Sequence, residues 1–314
     1  QVLTRQEVIQ RHAELIQDNR HVRFMWIPFA DAVVVVSNNP TVDGVLGEGQ
    51  GYEPRHDMDY RLEPFRALLK DVSGEDGEGL GFAELRDALL AINPLDLAHV
   101  KKINRAEAEF WRRSCGTHVG DSSTKLNFEC GGQQWVNESC FPAGTRSKPD
   151  GSDMRYMLRL LAIIEGEGIP APAPIEQRWT AGSSSLLSPA RSTTEDALFS
   201  WVGIIMYRKR RLTHAIDATR LHHRVSRRYL PSDDERVRQS ISDAFRQYKG
   251  RCESDLWPVY GALEHWAKVE GDSRVQERLK KRLGEDALSK FAAARSIYDP
   301  QRLLSNPLLD GIFK

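Results

Sequence analysis

The run Ala197–Tyr207, ALFSWVGIIMY, has eleven residues and no charge. It is about half the ~20 apolar residues a membrane-spanning helix needs. It therefore reads as a buried strand, and a strand apolar on both sides has to be covered on both. Around it the chain mixes strand and helix patterns without regular alternation. HVRFMWIP and DAVVVVSNNP are rich in β-branched and aromatic residues and end at proline or Asn-Asn-Pro, as strands do. LTRQEVIQRHAELIQDN opens with Thr4 and Glu7 spaced as a capping box, and places Val8, Ile9, His12, Leu15 and Ile16 on one helical face. Helical periodicity returns over Asp59–Val72, in FAELRDALLAI, in DLAHVKKINRAEAEFWRRS, in DMRYMLRLLAIIEGEG, over 232–249 and over about 273–297. LNFECGGQQWV reads as a strand interrupted at Gly131-Gly132, and WPVYGALEHWAKVE looks strand-like. Mixed elements without βα repetition predict an α+β fold with a largely antiparallel sheet flanked by helices.

The 314 residues suffice for a sizeable core, in one large domain or two ordinary ones. Lys+Arg and Asp+Glu both number 44, which argues against a nucleic-acid binder or a protein held on membranes by net charge. Cys115, Cys130, Cys140 and Cys252 lack zinc-type spacing, and so few in so long a chain suggest free thiols. The chain begins at Gln1 and shows no signal or transit pattern, which reads as a removed presequence or a piece of something longer. One segment departs from neutrality. Arg208–Arg228 holds eight Lys/Arg, three histidines and one acid. It is either a solvated insertion or a docking patch for anionic lipid or an acidic protein surface.

Three constellations are candidates for chemistry. In IPAPAPIEQRWTAG a proline-stiffened lead precedes Glu176 and Arg178. On a strand these two share one face, and Gln177 and Trp179 the other. A carboxylate that accepts hydroxyl hydrogens, beside a guanidinium that donates in a fixed fork, can hold a polyhydroxylated ligand. The same spacing also fits a mutual surface ion pair of little consequence. In EHWAK, His265 and Lys268 come together if the chain bends, although a His beside a Trp is commonly a packing residue. In CGGQQWVNESC no base stands beside either cysteine, so a reactive thiolate has no local support.

Longer strings say more. FAELRDALLAINPLDLAHVKKINRAEAEFWRRS, FECGGQQWVNESCFPAGT, IPAPAPIEQRWTAGSSSLLSPA, FSWVGIIMY, EHWAKVE and LLSNPLL closely resemble the C-terminal half of the L-galactono-1,4-lactone dehydrogenase family. EQR and HWAK look like motifs of the wider aldonolactone and alditol oxidase group within the vanillyl-alcohol-oxidase flavoproteins. The resemblance implies that residues 1–314 form a substrate-binding domain, with 208–228 a basic insertion and about 256–314 packing back toward an FAD-binding half outside this chain. It implies oxidation of a sugar lactone to ascorbate by FAD, with cytochrome c as electron acceptor. It also implies a mitochondrial place, on the intermembrane-space side of the inner membrane. Glu176 and Arg178 would be the catalytic pair, Lys268 and Ser200 further substrate contacts, and His265 a donor near the flavin. The family's association with respiratory complex I implies an alternative, a non-catalytic assembly subunit.

Overall fold

The computed structural model describes residues 1–41, 58–126, 134–207, 235–269 and 273–313. Among these, β1 (Val2–Leu3), β2 (His21–Trp26), β3 (Val33–Asn38), β4 (Gln134–Thr145), β5 (Ile175–Ala181), β6 (Ala197–Tyr207) and β7 (Leu263–Glu264) form one seven-stranded sheet in the order β1-β3-β2-β5-β6-β4-β7. Every strand pair in it is antiparallel. The α+β expectation therefore holds, and the apolar run Ala197–Tyr207 lies inside the sheet between β5 and β4, buried along all but its last residue.

The helices are α1 (Arg5–Gln17), α2 (Met58–Ser73), α3 (Phe82–Ile92), α4 (Leu97–Arg113), α5 (Ser122–Lys125), α6 (Ser152–Glu167) and α7 (Glu235–Arg251). Beyond α7 a π-turn over Cys252–Leu256 leads into Trp257–Tyr260, and helices at Ser273–Leu283, Glu285–Tyr298 and Pro307–Ile312 follow. Thr4 and Glu7 close the capping box reciprocally at the start of α1. Val8, His12, Leu15 and Ile16 of α1 are buried as expected, but Ile9 is 39% exposed, because it sits at the edge of the apolar stripe.

The main core lies on one face of the sheet. Phe24, Trp26, Phe141, Ile175, Val202 and Ile204 pack there against α1, α6 and α7. Phe141 stacks on Tyr156 of α6 with ring centroids 4.5 Å apart. A second core joins α2, α3 and α4 through Leu62, Phe65, Leu85, Leu89, Ile103 and Phe110. At roughly 1.5–3 kcal/mol for each large apolar side chain buried, this helical layer has its own source of stability. It meets the sheet's opposite face through Ala108 of α4, packed with Ile27, Ala32 and Val34.

Two local readings need correction. WPVYGALEHWAKVE is mostly not strand: Trp257–Tyr260 is helical, β7 is two residues long, and Trp266–Lys268 is a 3-10 turn. Gly261 at φ 65° ends the helical turn, in the left-handed region that glycine enters at no cost. Conversely, β4 runs on through NESCFPAGT to Thr145, past Pro142. Pro142 pairs with Phe199 of β6 on one side, and on the other β7 covers β4 only at Ser139 and Cys140, so among the described residues no strand on that side asks for its missing N–H. The strand interruption expected at Gly131-Gly132 and the basic segment 208–228 lie outside the described residues.

Candidate active site

β5 is positioned by the prolines before it and by what they cannot do. Pro170, Pro172 and Pro174 remove three backbone donors. The buried Asn104 of α4 then ties down this lead by donating from Nδ2 to the Ala171 carbonyl at 2.9 Å and to the Pro28 carbonyl at 3.0 Å. From Ile175 the strand alternates. Ile175 and Gln177 are buried on the core side, and Glu176 and Arg178 point to the other face.

Registers then show what shares that face, because directly opposed residues in an antiparallel ladder point the same way. Glu176 lies opposite Met25 on β2 and Gly203 on β6, and Gly203 lies opposite Glu138 on β4. In the next row Arg178 lies between Arg23 and Trp201, and Trp201 lies opposite Cys140. Two acids, two arginines and a tryptophan thus meet on one side of the sheet.

The mutual ion pair that spacing allows is not the one formed. Arg178 donates from Nε to one oxygen of Glu138 at 2.9 Å, and its Nη2 stands 2.7 Å from that same oxygen in an ion pair. Glu176 is paired instead with Arg23, at 3.7 Å. The Glu138 side chain is 10% exposed and that of Arg178 44%, so a buried acid grips an arginine whose far end stays open. The guanidinium carbon lies 5.6 Å from the centre of the Trp201 ring. Burial holds the Glu176 carboxyl above the ordinary carboxylate range, against the opposing pull of Arg23, Arg178 and Lys268, with Glu138 adding to the rise.

The bend foreseen for EHWAK is real. The backbone N–H of His265 donates to the Glu138 carbonyl at 2.9 Å, so the segment is fastened to β4 at the acid itself. The Lys268 N–H donates to the His265 carbonyl at 2.8 Å, and His265 Nδ1 accepts from Ala267 at 3.1 Å. The His265 ring meets Trp201 edge-on, with centroids 5.5 Å apart. Trp266 anchors the turn from outside through its Nε1, which donates to the Leu187 carbonyl at 2.7 Å. His265 and Lys268 are thereby brought to the same side of the sheet as Glu176 and Arg178.

Ser200 is the exception among the expected contacts. It lies opposite Trp179 and Phe141, on the core face, with no exposed surface. Its Oγ accepts from Gln177 Nε2 at 3.1 Å, and Gln177 Oε1 accepts from Trp26 Nε1 at 2.8 Å. This relay runs across three strands on the side away from Glu176 and Arg178, so Ser200 reads here as part of the sheet's interior. The cysteine reading also resolves for the described thiol. Burial, with Glu138 nearby, pushes the Cys140 thiol above its ordinary value, which disfavours a thiolate there.

Three residues of the cluster escaped the reading of the sequence: Arg23, Glu138 and Trp201. Arg23 and Glu138 are each the one Lys, Arg, Asp or Glu in their strands HVRFMW and QWVNESCFPAGT, which is a usable signal. The strand pattern of LNFECGGQQWV ends near Val136, two residues short of Glu138.

Residues 83–226 match the family described as D-arabinono-1,4-lactone oxidase. Over 98% of its length the chain is 42% identical to the mitochondrial L-galactono-1,4-lactone dehydrogenase of Arabidopsis thaliana, and it covers 50% of that protein. It is 43% identical, again over 98% of its length, to L-galactono-1,4-lactone dehydrogenase 2 of Oryza sativa subsp. japonica, covering 51% of it. The chain thus spans about half the length of the curated relatives it matches. Among solved structures, cholesterol oxidase from B. sterolicum resembles it with a TM-score of 0.54 at 11% identity, over 100% of this chain and 59% of that one. A solvent-stable cholesterol oxidase does so with a TM-score of 0.50 at 14% identity, over 96% and 55%. At such identities the likeness is one of fold alone. The chain is homologous along nearly its whole length to the L-galactono-1,4-lactone dehydrogenases, and corresponds to their C-terminal half.

Proposed function

We propose that this chain supplies the lactone-binding face of a flavin-dependent aldonolactone dehydrogenase, acting on L-galactono-1,4-lactone to form ascorbate. One observation carries the reading: Glu176 and Arg178 do not neutralise each other, and Arg178 keeps 44% of its side chain exposed beside Trp201. Arg178 would donate to the lactone carbonyl and stabilise charge developing on it. Glu176 would accept from a ring hydroxyl, Lys268 would make a further contact, and His265 would donate at the edge of the cofactor. The donors at this face, a guanidinium, an ammonium and an imidazole, suit a lactone and the polar edge of a flavin ring. Hydride acceptance is the chemistry a flavin would supply there. The relatives' names support the lactone and a mitochondrial place. FAD, held mainly by the other half found in the relatives, cytochrome c as acceptor, and the intermembrane-space side of the inner membrane rest on the family resemblance. Among the described residues no helix is long and apolar enough to cross a membrane. The second reading, a non-catalytic subunit associated with respiratory complex I, rests on the family resemblance, and the basic segment 208–228, which lies outside the described residues, would suit docking there.

The test uses the native protein with whatever chains accompany it. Anaerobic addition of L-galactono-1,4-lactone should bleach a flavin absorbance band, and cytochrome c should then be reduced. Arg178→Ala should lower kcat/KM by about 10²–10³, or ~2.7–4 kcal/mol, with the protein still folded. A near-normal kcat/KM in that variant would remove Arg178 from the site.

A further inference from the structure

We propose that Glu138 is a positioning residue that draws Arg178 away from Glu176, so that the outer donors of Arg178 remain available to a ligand. The inference rests on the reading of Glu176 and Arg178 as lactone contacts. Residues two apart on a strand stand about 7 Å apart on one face, within reach of each other's side chains. Nothing in the strand itself keeps this acid and this base from closing on one another. What does so is a competing acceptor two strands away. One oxygen of Glu138 accepts from Arg178 Nε at 2.9 Å and lies 2.7 Å from Nη2 in the same ion pair, and the Glu138 side chain is too buried to wander. An arginine held along that edge keeps the direction of its remaining donors, as a fork gripped by its handle.

Gly203 makes the arrangement possible. It separates Glu176 from Glu138 on the intervening strand, and a Cβ built there would lie 3.8 Å from the Glu176 Cβ and 3.9 Å from the Glu138 Cγ. A single methyl group fits, and any longer side chain would occupy the space between the two carboxylates. Arg23 completes the separation by standing on the far side of Glu176. The Glu138 backbone carbonyl also receives the His265 N–H. The same residue therefore sets the place of Arg178 with its side chain and the place of the His265–Lys268 turn with its backbone.

Two substitutions at Glu138 separate charge from geometry. Glu138→Ala removes the acceptor, and Arg178 should then turn to Glu176. Glu138→Gln keeps an oxygen where Nε and Nη2 need it. In the full native protein, kcat/KM for L-galactono-1,4-lactone should fall between about 10- and 100-fold in Glu138→Ala, chiefly through kcat, and recover to within about threefold in Glu138→Gln. Independently of turnover, the Arg178 Nε–H resonance in a ¹H–¹⁵N NMR spectrum should shift and exchange faster with water in Glu138→Ala, and stay protected in Glu138→Gln. An unchanged Arg178 resonance in Glu138→Ala overturns the proposal, as does an unchanged kcat. If the unsubstituted protein oxidises no lactone, the functional reading fails by itself, and the NMR arm still decides whether Glu138 holds the arginine. Should Glu138→Ala not fold, Gly203→Ala and Gly203→Leu carry the test. The first should leave the Arg178 resonance in place and the second should displace it, and equal spectra would overturn the proposal.

Discussion

Ser200→Ala separates two readings of one hydroxyl. By resemblance Ser200 is a substrate contact, whereas its surroundings make it one end of the Trp26–Gln177–Ser200 relay on the core face. In the second case the alanine variant removes one buried acceptor and leaves Gln177 Nε2 without its partner. Such a loss costs about 1–2 kcal/mol, a net hydrogen bond plus part of the desolvation of an orphaned donor. With an unfolding entropy of about 2.1 cal/mol/K per residue, that corresponds to a fall in Tm of roughly 1.5–3 °C for a chain of 314 residues. Urea unfolding followed by tryptophan fluorescence measures the first quantity and calorimetry the second. Steady-state kinetics should show KM and kcat within twofold of the original. Gln177→Leu should cost more, about 2–4 kcal/mol, because it also strands the Trp26 indole N–H. The double variant should cost no more than Gln177→Leu alone, since the Ser200 bond is already gone. A Ser200→Ala protein of unchanged stability with a KM raised tenfold or more would refute this reasoning and restore the hydroxyl to the substrate.

Two further outcomes follow from buried groups. The Glu176 carboxyl is raised above 4.5 by burial, so between 4.5 and its folded value the folded protein binds more protons than the unfolded chain. Stability should therefore fall as pH rises through that window, and urea titrations should show Glu176→Gln free of this part of the slope; parallel profiles would contradict the burial argument. Cys252 is pushed up to about 12 by burial, and Cys140 is raised further, whereas Cys115 is partly exposed. An Ellman-type reagent at pH 7.5 should label Cys115 in the native protein and reach Cys140 and Cys252 only in urea. Fast native labelling of Cys140 would reopen the reactive-thiol reading.

Much of the local structure was legible. The capping box of α1, the β-branched strands and the charge-free run at Ala197–Tyr207 each declare themselves within a few residues, because their periodicity is set by backbone geometry. Failures came where a local preference met a tertiary partner. Pro142 argues against a strand until the gap beside it, beyond β7, is seen. The aromatic residues of WPVY suggest a strand, but Trp257 is buried among side chains of α6 and α7 in a helical turn. Glu138 lies two residues beyond Val136, where the strand pattern of LNFECGGQQWV stops, in a part of β4 fixed by its pairing with β6.

What the sequence alone determined was that Glu176 and Arg178 share one face and Gln177 and Trp179 the other, since side-chain direction along a strand alternates whatever the fold. It could not say with whom the two charges pair. That was decided by the order β2-β5-β6-β4 and its registers, which place Arg23 on one side of Glu176, Gly203 on the other, and Glu138 within reach of Arg178. Arg23 stands 153 residues from its partner Glu176, and Glu138 stands 40 from its partner Arg178, along the chain. Pairing over such separations is settled by hydrogen-bonded register and packing, which no local pattern records.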